Sequence, residues 1–276
     1  MRPLRRALLP LLALALPACA DPSSFEEPLG SAASALVVCP GPNTRPGIDV
    51  SEYQGDIDWN AVKASGIAFA IARVDDGFYM DKKFEANWPA MKAAGLIRGA
   101  YQFFEPGDDP SALADIMIQK MGPLGVGDLP PTLDVETTDG QSPATIAAHI
   151  HTWVDKVQAA TGRTPLIYTG KYFWNDNVGS ADFAGLPLWL AAYVQPCPST
   201  PDAWGGWAMW QYNDNGSIPG IGPLVDVDMF NGTQAELEAL ASPPNAAPVG
   251  WIDGADCAAG ITGWAQDPSA PDAPIA

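Results

Sequence analysis

Three features of the sequence predict an α/β fold, a TIM-like β/α barrel of five βα units followed by three further strands. Short extended runs alternate with helix-like segments five times, and three more strand-like runs then follow with only loops between them. The chain has 276 residues, 47% apolar and 17% charged, enough to enclose one large core. A sheet built this way carries its functional residues at the C-terminal ends of the strands.

The elements follow in order. Gly47 to Ser51 reads as a strand, and Trp59 to Ser65 as a helix capped by Asp58 and stopped by Gly66. Ala68 to Arg73 is the second strand, and Lys83 to Ala94 a helix that ends at Gly95. Ile97 to Phe103 is extended; Asp109-Pro110 then opens a helix to about Met121 through a cap followed by proline. Thr132 to Glu136 is the fourth strand, and Ser142-Pro143 opens the longest helix, ending at Gly162. Leu166 to Thr169 and a short helix around Tyr172 complete the fifth unit. Leu188 to Tyr193, Ala208 to Tyr212 and Val225 to Phe230 are the last strands, with a short helix near Glu236.

Around this barrel, placed at residues 47–241, the composition changes. Residues 1–18 read as a signal peptide: Arg2, Arg5 and Arg6 precede an apolar run from Leu8 to Leu16 that is too short to span a bilayer. Leu16-Pro17-Ala18-Cys19 resembles a bacterial lipobox, which would make Cys19 a lipidated first residue and attach the protein to a membrane; Ala18-Cys19-Ala20 also fits ordinary cleavage and secretion. Residues 19–46, rich in Pro, Ser, Gly and Ala, read as a tether, residues 242–248 as a linker, and residues 249–276 as a truncated β-module. After processing, Cys39, Cys197 and Cys257 remain, an odd number for an oxidising compartment. Cys39 is expected to pair with Cys197, since both lie in or beside the main domain.

A formal charge of −18 disfavours nucleic acid and anionic lipid as partners. Ten Trp and seven Tyr suit an uncharged polymer such as sugar, whose apolar ring faces pack on aromatic rings, although core packing accounts for many of them. No cofactor and no metal are expected: His149 and His151, the chain's two histidines, are two apart on a predicted helix, where side chains diverge.

The chemistry centres on Leu133-Asp134-Val135-Glu136. Acids two apart on a strand point to the same side, roughly 6–7 Å apart along the backbone. Crowding drives their pKa values apart, so that one stays protonated while the other is ionised, as glycoside hydrolysis requires. Acid-x-acid alone is common in surface strands, so the pair gains weight from its surroundings. These are Gly47-Ile48-Asp49-Val50-Ser51, Tyr53-Gln54-Gly55, Ile57-Asp58-Trp59, Gly99-Ala100-Tyr101-Gln102-Phe103-Phe104, Ile167-Tyr168-Thr169, Leu188-Trp189-Leu190-Ala191-Ala192-Tyr193, Trp210-Gln211-Tyr212 and Val225-Asp226-Val227-Asp228.

In that order, from about Gly47 to Leu240, these motifs resemble glycoside hydrolase family 25. The resemblance implies the same five-plus-three barrel, acting on peptidoglycan glycan strands at the β-1,4 bond between N-acetylmuramic acid and N-acetylglucosamine; the chain is expected to act as a monomer. It makes Glu136 the general acid and Asp134 the stabiliser or nucleophile, with Asp49 and Asp226 as the further acidic positions and Asp228 the weaker candidate of its pair. Tyr101, Tyr168, Trp189 and Gln211 become substrate contacts, with core packing an equal alternative for Trp189. Arg73 would bind a substrate carboxylate or pair with the cleft's acids. Gln102 stands where many relatives have His, and Val74-Asp75-Asp76-Gly77 replaces a segment ending in Glu-Gly; both departures are expected at the cleft rim. They leave room for a hydrolase of another N-acetylglucosaminide, while a non-catalytic glycan-binding barrel is disfavoured by the intact acid pair.

Overall fold

A computed structural model describes residues 36–194, 196–243, 249–256 and 260–266. The expected signal peptide, Cys19, the tether as far as residue 35, residues 244–248 of the linker and Cys257 lie outside the described residues.

The chain runs β1 (Arg45–Val50), α1 (Trp59–Ala64), β2 (Phe69–Asp76), a two-residue β3 (Tyr79–Met80), α2 (Phe84–Ala93), β4 (Ile97–Phe103), α3 (Pro110–Met121) and β5 (Thr132–Asp134). It continues with α4 (Pro143–Thr161), β6 (Leu166–Gly170), α5 (Lys171–Asn177), β7 (Leu188–Ala191), β8 (Met209–Gly216), β9 (Val225–Phe230) and α6 (Gln234–Leu240). Eight of these strands close a barrel in the order β1-β9-β8-β7-β6-β5-β4-β2, with β2 returning to β1, while β3 folds back on β2. Five βα units and three further strands result, the architecture the sequence predicts. Seven strands are parallel; β9 alone runs against both neighbours, because it follows β8 through a loop with no crossover helix. Further along the chain, β10 (Val249–Asp256) and β11 (Gly260–Gln266) pair as an antiparallel hairpin.

The helix boundaries follow from local chemistry. Asp58 accepts from the amides of Asn60 and Ala61 at the start of α1, and Asp109 does the same for Ser111 and Ala112 at the start of α3. Ser142 caps α4, and Gly162, at φ 67°, ends it in the left-handed conformation that glycine adopts without penalty.

Strand alternation divides the core in two. Phe69 and Ile71 of β2 join Leu166, Trp189 and Met209 inside the barrel, while Ala70, Ala72 and Val74 join Leu113, Met117, Ile150 and Trp153 between barrel and helices. A side chain at Gly47 would collide with the Phe69 ring, so glycine at that point of β1 lets Phe69 fill the barrel floor.

The tether expectation is corrected at its C-terminal end. Residues 36–44 are fastened to the outside of the barrel: Val37 bridges Ser199, Val38 N donates to Pro198 O at 2.9 Å, and Cys39 is bonded to Cys197. Trp207 Nε1 also donates to Val38 O at 2.9 Å. The reason lies in the connections after β7 and β8, which are loops. This strap, with Trp204 and Trp207 beneath it, covers wall that a helix would otherwise bury. Composition marked the segment as a linker because its few apolar groups, Val37, Val38 and the Cys39 thiol, are the ones that bind it.

Candidate active site

Each barrel strand brings at least one inward side chain to the same end: Asp49 from β1, Arg73 from β2, Tyr101 and Phe103 from β4, Asp134 from β5, Tyr168 from β6, Trp189 from β7, Gln211 from β8 and Asp226 from β9. Together with Glu136 they line a cavity of about 270 Å³. The nine residues singled out for catalysis or substrate contact are thus brought to one place. Because β9 is reversed, it delivers Asp226 from its beginning, opposite Asp49 across the β1–β9 ladder.

The backbone holds the acid pair firmly. Val135 N donates to Tyr168 O at 2.9 Å, and Thr169 Oγ1 donates to Val135 O at 2.7 Å. With the Val135 side chain buried on the helix side, Asp134 and Glu136 both face the cavity. They differ in depth. Asp134 is 5% exposed and its Oδ1 is buried without a hydrogen-bond partner among the protein's groups, whereas Glu136 reaches the open cleft. Burial raises the Asp134 carboxyl well above the usual range, with the Glu136 charge adding to it. Enclosure by the cleft walls raises Glu136 too, followed by the charge of Asp76.

Across the cleft, Gln211 organises a network. Its Nε2 donates to Asp49 Oδ2 at 2.7 Å, while its Oε1 accepts from Tyr168 at 2.8 Å and Tyr193 at 2.7 Å. Below it, Trp189 Nε1 donates to Asp228 Oδ1 at 2.8 Å. Burial first, then Asp228 and Asp226, push Asp49 well up, and burial pushes Asp228 to about 8. Asp226 is raised to about 6, by burial and then by Asp214. Asp228 lies beneath the cavity and Asp226 in its wall. Trp189 serves as both core and floor: it is buried, it packs edge-on to Tyr168 with centroids 4.7 Å apart, and it lines the cavity.

Arg73 pairs with acids. Its Nε lies 3.1 Å from Asp81 Oδ2, an Nη lies 3.6 Å from Asp76, and the guanidinium sits 5.3 Å from the Tyr53 ring centroid. Gln102 and Asp75 are not at the rim. Gln102 alternates with inward Tyr101 and so points to the helices, where its Nε2 donates to Asp75 Oδ2 at 2.7 Å and to Leu113 O at 3.0 Å, and where Trp153 Nε1 donates to its Oε1. A bulge between Arg73 and Asp75 turns Asp75 outward as well. Burial raises Asp75 to about 8.

Tyr193 is the functional candidate that the strand pattern left unassigned. It closes the run Leu188 to Tyr193, yet β7 ends at Ala191, so its direction depends on a loop. The histidines diverge as the helix spacing requires: His149 Nδ1 meets Pro106 O, while His151 packs on Phe183. Among the described residues, no group of three or more His, Cys, Asp or Glu side chains could hold a metal ion, and no helix is long and apolar enough to cross a membrane.

Residues 48–221 match the family model described as glycosyl hydrolases family 25. The chain is 35% identical over 207 residues to the uncharacterized protein YegX of Escherichia coli, covering 73% of this chain and 75% of that protein. It is 35% identical over 208 residues to lysozyme M1 of Streptomyces globisporus, covering 71% of each. Its fold is similar to the crystal structure of a bacterial lysozyme from Streptomyces coelicolor, with a TM-score of 0.70 and 33% identity, covering 73% of this chain and 98% of that one.

Proposed function

Because this chain belongs to family 25 of the glycosyl hydrolases, we propose that it is an exported peptidoglycan hydrolase that cleaves the β-1,4 bond between N-acetylmuramic acid and N-acetylglucosamine with net retention. It is a glycoside hydrolase by family, and lysozymes and muramidases stand among its relatives. The observation that carries the reading is the acid pair at the end of β5, with one carboxyl open to the cleft and the other buried beneath it.

Glu136, with its raised pKa, donates its proton to the glycosidic oxygen as the bond to the anomeric carbon breaks. Asp134 stabilises the positive charge that develops on the sugar, either by bonding to the anomeric carbon or by orienting the substrate's own acetamido oxygen to do so. Water then attacks the anomeric carbon, returns a proton to Glu136 and restores the original configuration. Asp49 and Asp226 hold sugar hydroxyls and shape the field around the pair; Tyr101, Tyr168, Trp189 and Gln211 hold the rings.

The Cys39–Cys197 bond fits an oxidising compartment, which supports export. Cys19 is the proposed point of lipid attachment, and Cys19→Ala should abolish incorporation of a labelled fatty acid if the protein is a lipoprotein.

The deciding experiment is digestion of purified peptidoglycan by the wild type and by Glu136→Gln, with new reducing ends identified by mass spectrometry after borohydride reduction. Muramic acid ends from the wild type alone are the expected result. Glucosaminyl ends would move the cleaved bond to another N-acetylglucosaminide linkage, and tight binding with no new ends would make the barrel a glycan-binding module.

A further inference from the structure

We propose that a groove beside the cleft, on the far side of the Tyr193 ring, is a subsite for the acidic stem peptide that peptidoglycan carries on muramic acid, with Lys171 as its counter-charge. This rests on the peptidoglycan reading above. The groove, about 480 Å³ in volume, lies between the start of α5 and the loop after β7, and its walls include Lys171, Tyr172, Phe173, Ala192, Tyr193 and Val194. Tyr193 also lines the catalytic cavity, so the two spaces share a wall. A peptide branching from a sugar bound over Asp134 and Glu136 would meet the groove on the other side of this one side chain.

Its chemistry selects a peptide with a carboxylate over another sugar ring. Tyr172 is 77% exposed, Tyr193 54% and Val194 50%, an apolar surface left open to water beside the cleft. Against it stands one cation. Lys171 Nζ lies 5.6 Å from the Tyr172 ring centroid and forms no ion pair with an acid among the described residues. Arg73, the basic residue of the catalytic cavity, is already engaged by Asp81 and Asp76. A substrate carboxylate finds no free cation inside the acid-lined cavity, and its unpaired positive partner is Lys171. Sugar hydroxyls need several polar partners, and these mostly apolar walls offer few.

The test uses one preparation of soluble glycan strands in two forms, with stem peptides intact and with the peptides removed by an amidase. On peptide-bearing strands, Lys171→Gln and Tyr172→Ala should each raise KM by about three- to tenfold, with kcat unchanged. On stripped strands neither variant should differ from wild type, and Lys171→Arg should behave as wild type on both. Melting curves that match wild type exclude misfolding. Equal effects on the two substrates would make the groove a sugar contact, and no effect on either would leave it without a ligand; both outcomes overturn the proposal. If the wild type cleaves neither form, the hydrolase reading fails separately. The groove is then judged by calorimetric binding of both strand forms to Glu136→Gln and to Glu136→Gln/Lys171→Gln, where a Lys171 effect confined to peptide-bearing strands is the supporting result and its absence the overturning one.

Discussion

Asp49 and Asp228 lie close together inside the barrel, where burial raises both carboxyl groups above the usual range and the Asp228 charge raises Asp49 further. Gln211 holds the Asp49 side of this pair and Trp189 the Asp228 side. Asp228→Asn removes the charge that, after burial, raises Asp49 most, so the pKa of Asp49 should fall. The acidic limb of the pH dependence of kcat/KM should move to lower pH, while the basic limb stays where it is. A profile unchanged on the acidic side would show that Asp49 does not govern that limb.

The basic limb belongs to Glu136. A general acid must be protonated, so activity should fall as pH rises through the raised pKa of Glu136. After enclosure by the cleft walls, the Asp76 charge is the next cause of that elevation. Asp76→Asn should therefore shift the basic limb to lower pH, with kcat at acidic pH near that of wild type. Rates on peptidoglycan across pH 4 to 9 check this.

Asp75 links stability to pH with a definite sign. Its folded pKa of about 8 lies above the 3.8 ordinary for an aspartate, so the native state binds more protons than the unfolded chain between those limits. The stability it contributes is complete below the lower value and is lost as pH rises through the upper one. Asp75→Asn stays neutral and should flatten this decline, raising the melting temperature at pH 9 relative to wild type by about 2–4 °C for each kcal/mol recovered. Thermal melts at pH 5 and pH 9 would contradict this if the variant lost stability equally at both.

The Cys39–Cys197 bond joins residues 158 apart in sequence, so it restricts the unfolded chain strongly. Its loss through Cys39→Ser should destabilise the domain by about 2–5 kcal/mol, a fall in melting temperature of about 4–20 °C. Activity at 25 °C should remain, since β1 is still paired with β2 and β9. Calorimetry with and without a reducing agent, alongside turnover, measures both.

Much of this arrangement is legible in the sequence because barrel strands impose a strict alternation. The i, i+2 spacing puts Asp134 and Glu136 on one side at the end of β5, and the resemblance of the ordered motifs, not the period, singles out Asp49, Tyr168 and Gln211 on the other strands. Parity fails where the backbone departs from it. The bulge before Asp75 turned a residue expected at the rim into a partner of Gln102 behind the sheet, and Tyr193 takes its direction from a loop that no period describes. The strap escaped for a related reason: its binding depends on the absence of a helix some 160 residues later, a non-local fact that composition does not carry.

The reversal of β9 has a practical consequence for the geometry of use. Arg45 and Phe230 are paired at the rim opposite the one where Asp49 meets Asp226, and α6 stays at that end, with Gly127 N donating to Ala241 O at 2.8 Å. The polypeptide thus leaves the barrel at Ser242 from the back of the molecule, as a handle leaves the back of a blade. Cargo grafted there, whether a fluorophore, a surface anchor or a second enzyme, would trail behind the working face and leave the glycan's approach clear.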